Sequence, residues 1–139
     1  MTSTDLPPVV SQLPWAIGHQ GFLAAAGAVT GDGACCMFVI DKTIPASARP
    51  GYAALVIAYA RANEPVTILE DGAAAVLIRE GGVAAGEVAA RRLLKQMSRL
   101  GLQQTLRAGV APLTGDVGET IARVRHLAGG AAAGDVAVA

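Results

Sequence analysis

Apolar residues recur along the chain in blocks, and the spacing inside each block separates helices from strands. Trp15 to Val29 is alanine-rich, carries Ile17, Phe22 and Leu23, and predicts a helix weakened by Gly18, Gly21 and Gly27. Thr30-Gly31-Asp32-Gly33 is a turn. The unbroken run Ala34-Cys35-Cys36-Met37-Phe38-Val39-Ile40 has no polar face and predicts a strand buried on both sides. Pro45 to Pro50 leads into a helix from Gly51 to Arg61, apolar on nearly every side, as suits a helix lying against a sheet. Pro65 stops it.

Two short apolar runs follow, Val66 to Leu69 and Ala74 to Ile78. The turn pair Asp71-Gly72 separates them, so together they predict a hairpin. The clearest helix runs from Val83 to Leu100. Val88, Leu93, Leu94, Met97 and Leu100 fall near helical spacing, Arg91, Arg92, Lys95 and Arg99 are left for solvent, and Gly101 ends the helix. Gln104 to Ala111 alternates as a strand, and Gly118 to Leu127 sets Ile121, Val124 and Leu127 on one side of a last helix. This order predicts an α/β (α+β) layered fold, a mixed sheet with a central β-hairpin flanked by helices. Residues 1–13, with Pro7 and Pro8, read as a flexible arm; residues 14–128 form one domain; residues 129–139, mostly Gly and Ala, read as a flexible tail.

Charge and cysteine usage narrow the possible partners. Lys and Arg number 11 and so do Asp and Glu, so no net positive field draws a nucleic acid or an acidic membrane. The apolar stretch Phe22 to Ala28 is too short to cross a bilayer, which predicts no membrane insertion. The start of the chain lacks the basic segment and apolar core of a secretory signal, which points to the cytoplasm. Cys35 and Cys36, the only cysteines, are adjacent and sit in an apolar run; core thiols in a reducing compartment fit them.

Sites for metal or cofactor are not suggested. His19 and His126 stand alone, and Thr30-Gly31-Asp32-Gly33 lacks the Lys and hydroxyl of a phosphate loop. Asp41-Lys42 and Glu70-Asp71 read as solvated loop charges, with a metal ion held between them at one edge of the sheet as the alternative. The row Arg91, Arg92, Lys95 and Arg99 reads as a solvated helix face, with a partner or a phosphate as the alternative. No catalytic residue, metal or cofactor is expected.

From Phe22 to Leu127 the layout resembles the GGDEF domain, the fold of bacterial diguanylate cyclases. Val66-Thr67-Ile68-Leu69, then Glu70-Asp71-Gly72-Ala73-Ala74, then Ala75-Val76-Leu77-Ile78 is similar to the family's strand, signature turn and strand. Val88-Ala89-Ala90-Arg91-Arg92-Leu93 is similar to its Ala-Glu-Arg-Leu helix. Thr105 to Ala111 is similar to its Thr-Val-Ser-Ile-Gly-Val-Ala strand.

The departures from the family are chemical. Joining two GTP molecules needs carboxylates to hold divalent metal against triphosphate. The resemblance puts Val39 at the first metal acid and leaves Asp41 at the second. In the turn, Glu70 and Asp71 replace two glycines, Ala73 replaces the essential acid and Ala74 the Phe. No counterpart of the family's phosphate-binding Lys occurs in Gly129 to Ala139. The resemblance therefore implies a domain that has lost cyclase activity and acts by binding a protein partner or itself, as a possible homodimer. A second implication is a cyclic di-GMP receptor. Many GGDEF proteins bind that ligand through Arg-x-x-Asp ahead of the turn, and here Arg61-Ala62-Asn63-Glu64 stands there, with Arg61 and Glu64 as ligand contacts. An ordinary solvated helix end is the competing account of Arg61.

Overall fold

The computed structural model describes residues 16–69, 72–102 and 104–139. Among them four helices and five strands follow in the order α1 (His19–Gly27), β1 (Ala34–Ile40), α2 (Arg49–Tyr59), β2 (Val66–Ile68), β3 (Ala74–Ile78), α3 (Gly82–Arg99), β4 (Leu106–Pro112), α4 (Val117–Gly130) and β5 (Val136–Val138). The strands form one sheet in the order β2-β3-β1-β4-β5. Every neighbouring pair is antiparallel except β4 with β5. The stretch β1-α2-β2-β3-α3-β4 is a split βαβ unit of ferredoxin-like topology, with α1 added before it and α4-β5 after it. The chain thus has the expected α+β class with a mixed sheet.

Burial on both sides explains the unbroken apolar run of β1. It is the middle strand, and successive side chains alternate between two layers. Cys36 and Phe38 pack with Ala53, Val56 and Ile57 of α2 and Leu93 of α3. Cys35 and Met37 pack with Phe22 of α1 and Val124 of α4. Helices therefore cover the sheet in pairs, α2 and α3 on one face, α1 and α4 on the other. Gly109 lets α4 settle directly on β4: a Cβ there would come within 2.6 Å of the Ala128 nitrogen and 2.7 Å of the Val124 oxygen.

Element ends differ from expectation for local reasons. Helix α2 begins at Arg49 because Pro50 suits the first turn, where its missing N–H is no loss. Asp116 caps α4 by accepting the Glu119 N–H at 3.1 Å. Leu69 N–H donates to Ala73 and Gly72 N–H to Leu69, both at 2.8 Å, which closes the hairpin. Gly72 takes φ +87°, open to glycine at little cost. Glu70 and Asp71 themselves, like the arm of residues 1–13, lie outside the described residues. The hairpin is central in the chain but marginal in the sheet, since among the described residues β2 has β3 as its one strand neighbour, with a single parallel bridge from Ala16 to Val66 on its other side.

One expectation is corrected. The segment read as a flexible Gly/Ala tail, residues 129–139, completes α4 and then forms β5. Gly134 N–H donates to Leu106 at 2.7 Å and Ala108 N–H to Asp135 at 3.0 Å, which seats Val136 to Val138 along β4. Backbone bonds to an existing strand outweigh the weak propensity of Gly and Ala. Among the five strands it is this one that makes the sheet mixed.

Candidate functional site

A cleft of about 610 Å³ opens where β3 runs out, between the end of α2 and the first turns of α3. Its apolar side is Ile78 with Ala85, Val88 and Ala89, the last three on one helical face. Around them stand Arg61, Arg79, Arg92, Asn63, Glu64 and Glu80.

The wall of the cleft is built by a short turn. Beyond α2, Glu64 N–H donates to the Arg61 carbonyl at 2.9 Å. The Glu64 carboxylate in turn accepts the Arg61 N–H at 2.8 Å. Pro65 then forces the chain into β2. Across the cleft Arg92 forks onto the same carboxylate, Nη1 donating to Oε2 at 3.2 Å and Nη2 to Oε1. Glu64 is 7% exposed, and both of its oxygens are taken by these partners.

Beneath this pair lies Cys36, whose thiol donates to the Gly86 carbonyl at 3.2 Å. Burial pushes its pKa well up; the Cys35 thiol and the Glu64 carboxylate add to the rise and Arg92 opposes it. Cys35, on the other face of β1, is pushed up to about 12 by burial. Both stay protonated at neutral pH.

Arg61, Arg79 and Glu80 are exposed. None of their side chains has a hydrogen bond or ion pair among the described residues; all three line the cleft, and Arg79 and Glu80 also line a hollow of about 450 Å³ against the end of α1. Of the two residues expected to hold ligand, Arg61 lines the cleft and is exposed. Glu64 instead spends its oxygens inside the protein.

At the far end of the sheet the hairpin comes close to the start of α2. A Cβ on Gly72 would lie 3.6 Å from Arg49 Cβ and 4.0 Å from Ile40 Cδ1. Val39 and Ala73 each lie one step past the paired residues Phe38 and Ala74, so they share this end. Ala73 and Ala74 are buried.

A hollow of about 270 Å³ here is lined by Val39, Asp41, Lys42 and Arg107. Asp41 Oδ1 accepts the Thr43 N–H at 2.9 Å and the Thr43 hydroxyl at 2.8 Å. Arg107 Nη2 reaches Oδ2 at 3.3 Å while its Nη1 donates to the Ala131 carbonyl at 3.0 Å. The Thr43 backbone N–H, then its hydroxyl and Arg107, hold the Asp41 carboxyl below its ordinary range. Among the described residues no three His, Cys, Asp or Glu side chains gather as metal ligands would.

The remaining expected groups are dispersed. Arg91 pairs with Glu87 at 2.9 Å and Asp135 at 3.4 Å, Lys95 and Arg99 are exposed, and only Arg92 of that row turns into a site. Its position three residues after the buried Ala89 and one before Leu93 was the available signal. Arg79 and Glu80 carried none, because charges after a strand are ordinary loop residues until the fold sets them beside α2.

No protein-family model matches the chain, and no curated protein matches it in sequence.

Proposed function

We propose that the chain is a catalytically inactive GGDEF-like domain that works by binding, with cyclic di-GMP as the ligand of the arginine cleft. The observation that carries this reading is that Arg61 and Arg79, without partners among the described residues, stand with the Glu64-held Arg92 around an apolar floor. Guanidinium groups fork onto phosphodiester oxygens and onto the O6 and N7 acceptors of guanine. Val88 and the neighbouring alanines offer a flat apolar surface on which a base can rest. Charge at this one cleft, rather than net charge, supplies the attraction.

Loss of cyclase activity is supported by the hairpin end. Val39 and Ala73 bring no oxygen ligand from their side chains, and Asp41 is already held by Thr43 and Arg107. A reducing cytoplasm suits free Cys35 and Cys36. No helix of the described residues is long and apolar enough to cross a membrane.

Calorimetric titration with cyclic di-GMP tests the reading. Wild type should release heat with saturable binding, and Arg61→Ala should weaken it about tenfold or more. No heat at high micromolar ligand overturns the receptor role, and cyclic dinucleotide made from GTP with magnesium or manganese overturns the inactive one.

A second reading, a protein-interaction or homodimerisation module, is favoured by the exposure of Val88 at 69% and Leu100 at 47%, both apolar and both at α3. Light scattering of wild type and of Val88→Asp distinguishes it: a dimer lost on substitution supports this second reading.

A further inference from the structure

We infer that Glu80, and not Glu64, reads the guanine base in this cleft and sets its preference for guanine over adenine. The inference rests on the receptor reading above and names the residue that gives that site its specificity.

The reasoning begins with what each carboxylate has left to offer. Glu64 is buried, with Oε1 accepting from the Arg61 N–H and from Arg92, and Oε2 accepting from Arg92. Drawing it toward a ligand would strip Arg92 of its partner and break the turn that holds Arg61 at the rim. Glu64 is therefore a positioning residue, and what it positions are the two arginines. Glu80 lines the same cleft beside Arg79, is exposed, and has no hydrogen bond or ion pair among the described residues. Of the carboxylates at the cleft it alone keeps two open oxygens.

Base chemistry then decides what those oxygens select. The Watson–Crick edge of guanine presents two parallel donors, N1–H and the N2 amino group, which match a carboxylate in the two-point geometry that an arginine fork uses. Adenine presents an acceptor at N1 beside its N6 donor. A carboxylate facing it would keep one bond and set an oxygen against the N1 lone pair. An arginine fork on O6 and N7 also favours guanine, so the carboxylate adds a second, independent contact on the opposite edge of the base. The cleft thus holds both halves of a guanine site, cations for phosphate, O6 and N7 and one free carboxylate for the opposite edge.

The experiment is calorimetric titration of the full chain with cyclic di-GMP and with cyclic di-AMP, for wild type, Glu80→Gln and Glu64→Gln. Circular dichroism checks that each variant is folded. Wild type should prefer cyclic di-GMP. Glu80→Gln keeps size and shape but turns one acceptor into a donor, and should weaken cyclic di-GMP by roughly ten- to a hundredfold while leaving cyclic di-AMP within about twofold. Glu64→Gln should weaken both ligands in parallel, because it loosens Arg92 without touching the base edge. A guanine preference unchanged in Glu80→Gln, or collapsed in Glu64→Gln instead, overturns the assignment while the receptor reading stands. Wild type that binds neither dinucleotide overturns both.

Discussion

The two ends of the sheet carry similar side chains in different states of use. At the hairpin end one carboxylate, Asp41, is satisfied by Thr43 and Arg107, and Arg107 is itself tied to the Ala131 carbonyl. At the other end Glu64 is just as fully satisfied, by Arg92 and the Arg61 N–H. What differs is the surplus. Arg61, Arg79 and Glu80 surround the second pair without partners among the described residues, whereas the described residues of the hollow at the hairpin end offer Lys42 beside groups already committed. A carboxylate–arginine pair is thus equally compatible with a closed end and a receptive one. The unspent charges around it make the difference.

The largest expected effect strikes what both ends share. Gly109→Ala drives a methyl into the backbone of α4 and should cost at least about 3 kcal/mol, read as a lower urea midpoint. Next comes the receptive end. Arg92→Ala leaves Glu64 buried without its fork and should cost about 2 kcal/mol, toward the lower side for a buried pair because Arg92 is partly exposed. Glu64→Gln, which removes the charge as well, should cost less in the same assay. Equal losses would mean that the pair does not behave as a buried one.

A third measurement compares the faces of β1 instead of its ends. Cys35 has its pKa raised from 9.0 to about 12, so its contribution to stability is whole below the unfolded value and is lost as pH rises from about 9 toward 12. Urea midpoints should fall across that window. Cys35→Ala should flatten the fall while costing about 1 kcal/mol at neutral pH through the small void it leaves. The smallest effect belongs to the hairpin end. The Asp41 carboxyl is held below its ordinary 3.8, so its contribution is present above that value and disappears as pH drops through the folded one. Asp41→Asn should lower the midpoint at pH 7 slightly, by the contribution that acid otherwise removes, and should reduce the acid dependence below pH 4 to match. A neutral-pH loss as large as that of Arg92→Ala would erase the contrast between the two ends.

Local pattern carried most of the architecture. The apolar run of β1, the Asp71-Gly72 turn signal and the helical spacing of Val88 to Met97 each stand out over a few residues, because strand and helix periodicity depends on neighbours in sequence. β5 did not stand out. Val136 and Val138 are too few to mark a strand, and their place depends on bonds to Leu106, Ala108 and Val110, residues far away along the chain. The same holds at the cleft. Arg61 drew notice through its spacing from the hairpin, yet the sequence had no means of setting Arg92 against Glu64, 28 residues earlier, or of bringing Arg79 and Glu80 beside them.

By itself, then, the chain determined which segments coil and which extend. Those are properties of residue type and short-range spacing. Only the tertiary structure decided that Glu64 is spent on Arg92 while Glu80 is left open. That outcome depends on which side chains the packing of α2, β3 and α3 brings within hydrogen-bond reach, and charge pairing falls off too steeply with distance to be read from order along the chain.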